Sequence, residues 1–232
     1  MKYKNAVQAR FLSRPNRFIA KVLLGGKEET VHVKNTGRCK ELLTKNAIVY
    51  LDKSDNPTRK TAYDLVAVEK KREEDTLLIN MDSSLPNAVA AEWLPVSGLF
   101  SPTALIKREV SFGRSRFDLY AEEGERRAFI EVKGVTLEKD GIAFFPDAPT
   151  ERGVKHLEEL SLAVKQGYEG YLLFVVQMKG VREVRPNDET HPAFGTALRH
   201  AAAAGVKILA VDCLVSPDEG KADTFLPVIL NQ

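Results

Sequence analysis

Three charged residues interrupt two otherwise apolar strands in the segment RFDLYAEEGERRAFIEVKG, which runs from residue 116 to residue 134. Asp118 lies in the first strand, and Glu131 and Lys133 lie in the second. A buried charge costs free energy unless it is paired or bound to a metal ion. The chain must therefore either leave this segment exposed to solvent or build a site around its charges.

The dipeptide Gly124-Glu125 predicts the turn of a β-hairpin, because glycine suits the first position of a two-residue turn. Residues paired across such a turn have numbers that sum to 249, so Asp118 lies opposite Glu131. Carboxylates placed directly opposite each other on a sheet repel one another. A hard divalent cation such as Mg²⁺, held by the two carboxylates and nearby waters, would remove that repulsion.

Alternation of side chains along a strand places Lys133 on the same face as Glu131. The same rule points Asp118 to the face opposite Phe117 and Leu119. A lysine beside metal-binding carboxylates can orient or activate a metal-bound water and stabilise developing negative charge. An exposed hairpin could carry the same charges without a function, but the helices predicted around it indicate a sheet covered on both faces. The sequence therefore favours a metal site with a lysine.

The first 80 residues read as short strands separated by turn signals such as SRPN and KSDNPT. Five or six short strands with one helical piece, RCKELLT, suit a small β-barrel better than a parallel sheet. The predicted strands cover residues 4–11, 18–24, 29–34, 47–51, 61–69 and 76–79. We therefore expect a barrel domain over residues 1–80.

From about residue 82 the sequence alternates helices and strands, which is typical of an α/β domain with a mixed sheet. Asn87 is a candidate N-cap for the helix PNAVAAEWL, and Thr150 is the N-cap of a helix that Gly167 closes. The continuously apolar run YLLFVV predicts a strand buried on both faces. AFGTALRHAAAAG predicts a further helix, and VKILAVDCLV predicts the final strand. This second domain is expected to cover residues 81–232.

Charge is unevenly distributed along the chain, although the net charge is only +2. Residues 1–80 hold 17 lysine and arginine residues against 10 aspartate and glutamate residues, a net charge of +7. This excess indicates a polyanionic partner for the first domain, although a solvated basic surface would have the same composition. No apolar run suits a signal peptide or a membrane span, and the two cysteines lack metal-type spacing, so we expect a cytoplasmic protein.

The order of the charged residues resembles the core of restriction-endonuclease-like, or PD-(D/E)xK, nucleases. That core has a helix with a glutamate, then an aspartate and a Glu-x-Lys motif on adjacent strands, then another helix. The leading proline is absent, since Phe117 precedes Asp118. The chain further resembles the sugar fermentation stimulation protein A family over nearly its whole length, in the segments RFLSRPNRF, HVKNTGRCKELL, LPN, REVSFGRSRFDLY, EVKGVTLEKDGIAFFPDAPTERGVKHLEEL, LLFVVQ and AAAAGVKILA.

This resemblance implies an N-terminal OB-fold joined to a nuclease-like domain, in a DNA-binding protein linked to the regulation of sugar (maltose) utilisation. One departure is Cys39, where members more often carry methionine. Matched to the nuclease motif, Asp118 and Glu131 would be the ligands of Mg²⁺ or Mn²⁺, and Lys133 would be the catalytic lysine. Glu92 matches the helix glutamate that supports the metal in such cores.

Predicted DNA contacts lie in both domains. In the second domain, side chains three and four residues apart share one face of the helix after Thr150, near the end whose dipole favours anions; they are Arg152, Lys155 and His156. A solvated helix face is the alternative there. In the first domain the candidates lie in two turns rich in basic and polar residues: Arg14, Arg17, Asn35, Thr36 and Arg38. Such contacts go mainly to the phosphate backbone, so we expect weak sequence specificity.

Two other functions stay open at this point. The protein could be a DNA-binding regulator in which the nuclease-like domain is only a scaffold. It could also respond to a sugar without binding DNA, although the sequence shows little sign of a carbohydrate site. The oligomeric state is undecided, with a homodimer as one option.

Overall fold

The computed structural model describes residues 1–35, 37 and 39–231 of the chain. Within these ranges the strands of the first domain are β1 (Ala6–Asn16), β2 (Ile19–Leu24), β3 (Lys27–Val33), β4 (Ile48–Lys53), β5 (Tyr63–Lys71) and β6 (Thr76–Asn80). The strands of the second domain are β7 (Leu105–Phe112), β8 (Ser115–Glu123), β9 (Arg126–Val135), β10 (Leu137–Lys139), β11 (Ile142–Phe145), β12 (Glu169–Val176), β13 (Glu183–Pro186), β14 (Lys207–Ser216) and β15 (Glu219–Leu226). The α-helices are α1 (Leu85–Trp93), α2 (Glu151–Lys165) and α3 (Pro192–Ala203), and a short 3-10 helix (Leu94–Val96) follows α1.

Five strands of the first domain close into a barrel in the order β1-β2-β3-β5-β4. Four of the neighbouring pairs are antiparallel, and a short parallel pairing between β3 and β5 closes the ring. β6 then pairs with β5. Val22, Val31, Val49 and Leu65 are fully buried inside, as alternation along half-buried strands requires. The predicted small, OB-like barrel is therefore confirmed.

The helical piece predicted at RCKELLT is wrong in its described part, residues 39–44. The backbone there makes a single turn, in which the N–H groups of Leu42 and Leu43 donate to the carbonyl of Cys39. Both leucines are buried in the barrel core. One turn is too short to be a stable helix, so packing fixes its conformation.

A six-stranded mixed sheet forms the centre of the second domain, in the order β15-β14-β12-β9-β8-β7. β9, β12 and β14 run parallel, and the outer pairs are antiparallel. α1 packs on one face, while α2 and α3 pack on the other. Since both faces are covered, the run YLLFVV in β12 is buried throughout, as predicted.

Two strand predictions need correction. VKILAVDCLV is not the final strand, because β15 follows it and pairs with it at the edge of the sheet. Half of the residues of β15, EGKADTFL, have polar side chains and half are exposed, so the strand lacks the apolar pattern that marks a strand in sequence. A small sheet of β10, β11 and β13 was also missed, because its strands have only three or four residues.

The helix starts are set by local sequence. α1 begins with Ser84 as its N-cap and Pro86 in its first turn, so the prediction of Asn87 as N-cap is wrong and Asn87 lies inside the helix. Thr150 is the N-cap of α2, as predicted, and its hydroxyl accepts a hydrogen bond from the N–H of Gly153 at 3.1 Å. Among the described residues, no helix combines the length and the apolar character needed to span a bilayer.

A buried polar network fixes the junction between the two domains. Asp82 is fully buried there, and its carboxylate accepts hydrogen bonds from Lys34 Nζ at 2.6 Å and from the hydroxyl of Tyr3 at 3.3 Å. Gln177, which follows β12, donates from Nε2 to the carbonyl oxygens of Asn80 and Asp82, each at 3.1 Å. These bonds join the end of β3, the interdomain linker and the central sheet. They hold the barrel against the second domain.

Candidate active site

A cleft of about 550 Å³ lies where the barrel meets the second domain. Its walls come from the barrel loop around Asn35, the first turn of α1, strands β8 and β9, and the loop that leads into α2. Among the described residues, the charged side chains that line it are Asp118, Glu131, Lys133, Asp147 and Arg152. Both domains therefore contribute to one cavity, and the three charged residues of the hairpin meet in it.

Asp118, on β8, accepts one hydrogen bond at each carboxylate oxygen. Asn87 Nδ2 donates to Oδ1 at 2.8 Å, and the backbone N–H of Val132 donates to Oδ2 at 2.8 Å. Burial and the nearby charge of Glu131 raise the pKa of Asp118, although the two hydrogen bonds and the charge of Lys133 oppose the shift. An ionised Asp118 is therefore costly unless a further positive charge lies close by.

Glu131, on β9, is buried, and its two carboxylate oxygens have different surroundings. Oε1 accepts a hydrogen bond from Lys133 Nζ at 2.6 Å and contacts His156 Nδ1. Oε2 is buried without a hydrogen-bond partner among the described residues. Burial would raise the pKa of Glu131, but the hydrogen bonds from His156 and Lys133 and the charge of Lys133 outweigh it and lower that pKa. A buried, ionised oxygen without a partner is costly, and it marks a position where a cation would be stabilised.

The predicted hairpin register is confirmed. Residues paired between β8 and β9 have numbers that sum to 249, as far as Leu119 and Ile130. Backbone pairing in the described ladder ends there, one position before Asp118 and Glu131, so the predicted direct pairing of these two residues is not formed. The side chain of Asp118 accepts the N–H of Val132 in its place. The two carboxylates therefore sit on adjacent strands at the open end of the ladder.

Alternation along β8 breaks at Asp118, which corrects the expected directions of its neighbours. Phe117 packs against Phe129 with ring centroids 5.2 Å apart, on the α2 side of the sheet. Leu119 belongs instead to the cluster on the α1 side. The adjacent strand β7 is irregular at the same level, because Glu109 has a φ of 57°, which is uncommon for a residue other than glycine. Spacing in the sequence could not reveal this local irregularity.

The residues predicted on α2 have three different environments. His156 is buried and contacts Glu131 Oε1 through Nδ1, which corrects its predicted role as a phosphate ligand. Arg152 is exposed, lines the cleft and donates from Nε to His156 Nε2 at 3.3 Å. Lys155 is exposed but does not line the cleft, because it lies about 100° around the helix from His156. Of the three, Arg152 is the one placed to meet a substrate.

The structure also corrects the assignment of Glu92 to the metal site. The side chain of Glu92 is 63% exposed and accepts a hydrogen bond from the amino group of Met1 at 3.0 Å, outside the cleft. Asn87, on the same helix, contacts Asp118 instead. The two positions are five residues apart, or about 140° around an α-helix, so both cannot face β8. The assignment of Asn87 as an N-cap placed this residue at the helix end, so its contact with Asp118 was not predicted.

Arg14 holds a barrel loop, which corrects its assignment as a phosphate ligand. Its Nη1 donates to the carbonyl of Gly37 at 2.9 Å, and its Nη2 donates to the carbonyl of Asn35 at 2.7 Å. Asn35 itself lines the cleft, and its Oδ1 accepts a hydrogen bond from the N–H of Gly37 at 2.8 Å. Arg14 therefore shapes the wall that Asn35 provides.

Arg17 remains available on the barrel surface. Its guanidinium lies 4.8 Å from the centre of the Phe18 ring, and Phe18 is 43% exposed. An exposed cation stacked on an exposed ring suits contact with both phosphate and base. Thr36 and Arg38, also predicted to bind DNA, lie outside the described residues.

Sequence reasoning missed Gly134 and Gln177, which form the floor of the cleft beside Lys133. A Cβ atom on residue 134 would lie 2.5 Å from Gln177 Oε1 and 2.6 Å from Pro86 Cγ, so only glycine fits there without movement. The signal was present, because a glycine inside a strand often marks a close approach of another group. Gln177 had no comparable signal, since its position depends on how the two domains pack.

In the part of the chain that the structure describes, no group of three or more His, Cys, Asp or Glu side chains is arranged to hold a metal ion. Asp118 and Glu131 lie on adjacent strands and are the two carboxylates of the site, while Asp147, which also lines the cleft, comes from the loop before α2. Mg²⁺ is often held by one or two carboxylates, with waters and substrate phosphates as its other ligands. The donor set therefore fits a hard divalent cation whose remaining ligands come from solvent or substrate.

Comparison with known proteins gives two family models that together match most of the chain. The model described as the SfsA N-terminal OB domain matches residues 12–79, and the one described as the sugar fermentation stimulation protein RE domain matches residues 84–219. A sugar fermentation stimulation protein homolog of Desulfitobacterium hafniense (strain Y51) is 56% identical over 230 residues, 99% of each chain. One from Clostridium beijerinckii is 52% identical over 230 residues, 99% of this chain and 100% of that one. The solved structure of Pyrococcus furiosus SfsA in complex with Ca²⁺ has a TM-score of 0.86 at 26% identity and covers 99% of this chain and 98% of that one.

Proposed function

The chain belongs to the sugar fermentation stimulation protein family, and we propose that it binds DNA and hydrolyses phosphodiester bonds in the carboxylate cleft with the help of a divalent cation. The single observation that carries this proposal is Glu131 Oε2, a buried carboxylate oxygen without a hydrogen-bond partner in the described structure, close to the carboxylate of Asp118. Buried polar side-chain atoms normally have a hydrogen-bond partner. An unsatisfied oxygen on a carboxylate that lines a cleft therefore suits metal binding better than stability.

The residues present fit Mg²⁺ or Mn²⁺. Asp118 and Glu131 would hold the cation through oxygen atoms, the donors that hard cations prefer. The relative from Pyrococcus furiosus was solved in complex with Ca²⁺, another cation that takes oxygen ligands. When bound, such a cation lowers the pKa of a coordinated water and offsets negative charge on a phosphate.

Lys133 and Arg152 supply fixed positive charge in the cleft. The ammonium of Lys133 lies 2.6 Å from Glu131 Oε1, and 14% of its side chain is exposed, so it is held in place while facing the cavity. It can stabilise negative charge that develops on the scissile phosphate. Arg152 offers a planar guanidinium at the mouth of the cleft, a geometry that suits two phosphate oxygens.

DNA binding is proposed for the barrel together with the cleft. The basic excess of the first 80 residues, the exposed pair of Arg17 and Phe18, and the contribution of Asn35 to the cleft all support it. These groups suit the backbone and stacking contacts that OB-folds make with nucleic acid. We therefore expect weakly sequence-specific binding whose affinity falls steeply as salt rises.

The test combines cleavage and binding on the same preparations. Plasmid, linear duplex and single-stranded DNA are incubated with the full chain and Mg²⁺ or Mn²⁺, with and without a chelator, and binding is measured separately in chelator. We expect cleavage that needs the metal, loss of cleavage in Lys133→Ala with binding retained, and no effect of the control Lys139→Ala, whose exposed lysine lies outside the cleft.

Equal inertness of wild type and Lys133→Ala on every DNA form would refute the catalytic proposal. Retained binding in that case would favour a non-catalytic DNA-binding role, with the second domain as a scaffold. A wild-type protein that neither cleaves nor binds any of the DNA forms would refute the DNA-binding proposal as well.

A further inference from the structure

The number of cations in the cleft follows from its donor atoms, given the proposed function on which this inference rests. We propose that the cleft takes one divalent cation rather than two, and that Asn87 is the positioning residue that holds Asp118 toward it. The inference comes from the placement of two residues on α1, with Glu92 turned away from the cleft and Asn87 in contact with Asp118. Helix α1 thus contributes a neutral amide where a third carboxylate would be needed.

Few free oxygen positions remain on the two carboxylates. Glu131 Oε1 is already taken by Lys133 and His156, which leaves Oε2. Each oxygen of Asp118 accepts one hydrogen bond, and Oδ2 is tied to the backbone N–H of Val132. Glu131 could bind two cations through both of its oxygens only by giving up the contacts of Oε1 with Lys133 and His156. Asp118 keeps a second lone pair on each oxygen, so it can bind a cation without losing either hydrogen bond.

Charge in the cleft also opposes a second cation. The carboxylates of Asp118 and Glu131 carry two negative charges, and one divalent cation balances them. Asp147, the third carboxylate that lines the cleft, is not grouped with them to hold a metal ion within the described residues. The ammonium of Lys133 already lies 2.6 Å from Glu131 Oε1, on the side of the carboxylate where a second cation would have to bind. No further carboxylate is grouped with these two to hold a metal ion within the described residues. A second divalent cation would therefore meet a positive charge without a compensating ligand.

Asn87 acts through Asp118. Its Nδ2 donates to Asp118 Oδ1 at 2.8 Å, and the backbone N–H of Val132 holds Oδ2. Together the two bonds set the plane of the carboxylate, so one lone pair on each oxygen has a fixed direction. Groups that orient a metal ligand in this way commonly change metal affinity by about 10- to 100-fold when they are removed.

The test is a titration of the full chain with Mn²⁺ in the absence of DNA. Calorimetry and the electron paramagnetic resonance signal of free Mn²⁺ measure the binding. Wild type is expected to bind one Mn²⁺ per chain. Asn87→Ala is expected to bind about 10- to 100-fold more weakly, with an unchanged stoichiometry. Glu92→Ala is the matched control on the same helix and is expected to bind like the wild type. Thermal unfolding of each metal-free variant checks that the folded state is retained.

The possible outcomes separate this inference from the function on which it rests. If the wild type binds no Mn²⁺, the proposed metal-dependent function fails, and the inference fails with it. Two Mn²⁺ ions per chain, both lost in Asp118→Asn, would overturn the single-ion inference and leave the metal-dependent function standing. Wild-type affinity in a folded Asn87→Ala variant would overturn the positioning role.

Discussion

Replacing Gly134 with alanine tests how tightly the floor of the cleft is packed. The added methyl group would lie 2.5 Å from Gln177 Oε1 and 2.6 Å from Pro86 Cγ, about 1 Å closer than ordinary contact. Pro86 is part of the first turn of α1 and cannot move alone. Gln177 could rotate, but its amide would then lose its bonds to Asn80 and Asp82.

Both ways of relieving the overlap cost free energy. Overpacking of a well-packed site costs about 1–3 kcal/mol, and each net hydrogen bond lost costs about 1 kcal/mol. We therefore expect Gly134→Ala to lower the free energy of unfolding by about 3 kcal/mol. For a chain of this size, that corresponds to a fall of roughly 6–12 °C in the melting temperature.

Chemical and thermal denaturation of wild type, Gly134→Ala, Gln177→Ala and the double variant would measure this effect. Gln177→Ala removes one of the two overlaps, so the cost of Gly134→Ala should be smaller in that background by about 1 kcal/mol. An unchanged unfolding midpoint in Gly134→Ala would refute the close approach of these groups. Strict additivity in the double variant would refute the part assigned to Gln177.

Further predictions concern the charged residues. Burial and the charge of Glu131 raise the pKa of Asp118, so ionised Asp118 destabilises the metal-free protein at neutral pH, and this cost is relieved as the pH falls through the raised pKa. The melting temperature of the metal-free wild type should therefore fall relative to that of metal-free Asp118→Asn as the pH rises through the raised pKa, because only the wild type ionises there. The same pH dependence in both proteins would contradict this. Arg17→Ala should weaken DNA binding and reduce the slope of log affinity against log salt by about one, as measured by fluorescence anisotropy over a salt series. Arg14→Ala should instead lower the free energy of unfolding by about 2 kcal/mol and leave the salt slope unchanged, because the guanidinium of Arg14 donates to backbone carbonyls. A reduced slope would show that Arg14 contacts DNA.

Local sequence predicted the hairpin that carries the site with good accuracy. The Gly124-Glu125 turn fixed the register, since a two-residue turn leaves one way to pair the strands. The N-cap at Thr150 and the buried run YLLFVV were also readable, because each depends on a few adjacent residues. These elements together predicted that Asp118, Glu131 and Lys133 lie in one site, and the three residues line one cleft.

The errors have a common physical origin in how elements pack. The choice between Asn87 and Glu92 depends on the rotation of α1 about its own axis, which is set by how the helix packs on the sheet. The helix also begins three residues earlier than an N-cap at Asn87 predicts. The burial of His156 depends on how closely α2 lies on the sheet. Arg14 was taken for a surface residue because its targets, the carbonyls of Asn35 and Gly37, are backbone atoms that carry no sequence signal.

Diffraction from crystals of the full chain grown with Mn²⁺, recorded at a wavelength where manganese scatters anomalously, would show whether Asp118 and Glu131 bind a metal ion. We expect a single anomalous peak within bonding distance of a carboxylate oxygen of Asp118 and of Glu131 Oε2. That peak should disappear in Asp118→Asn crystals. At saturating Mn²⁺, the absence of an anomalous peak from the cleft would contradict the proposed metal site and the hydrolytic function that depends on it. A peak beyond bonding distance of both carboxylates would contradict them equally.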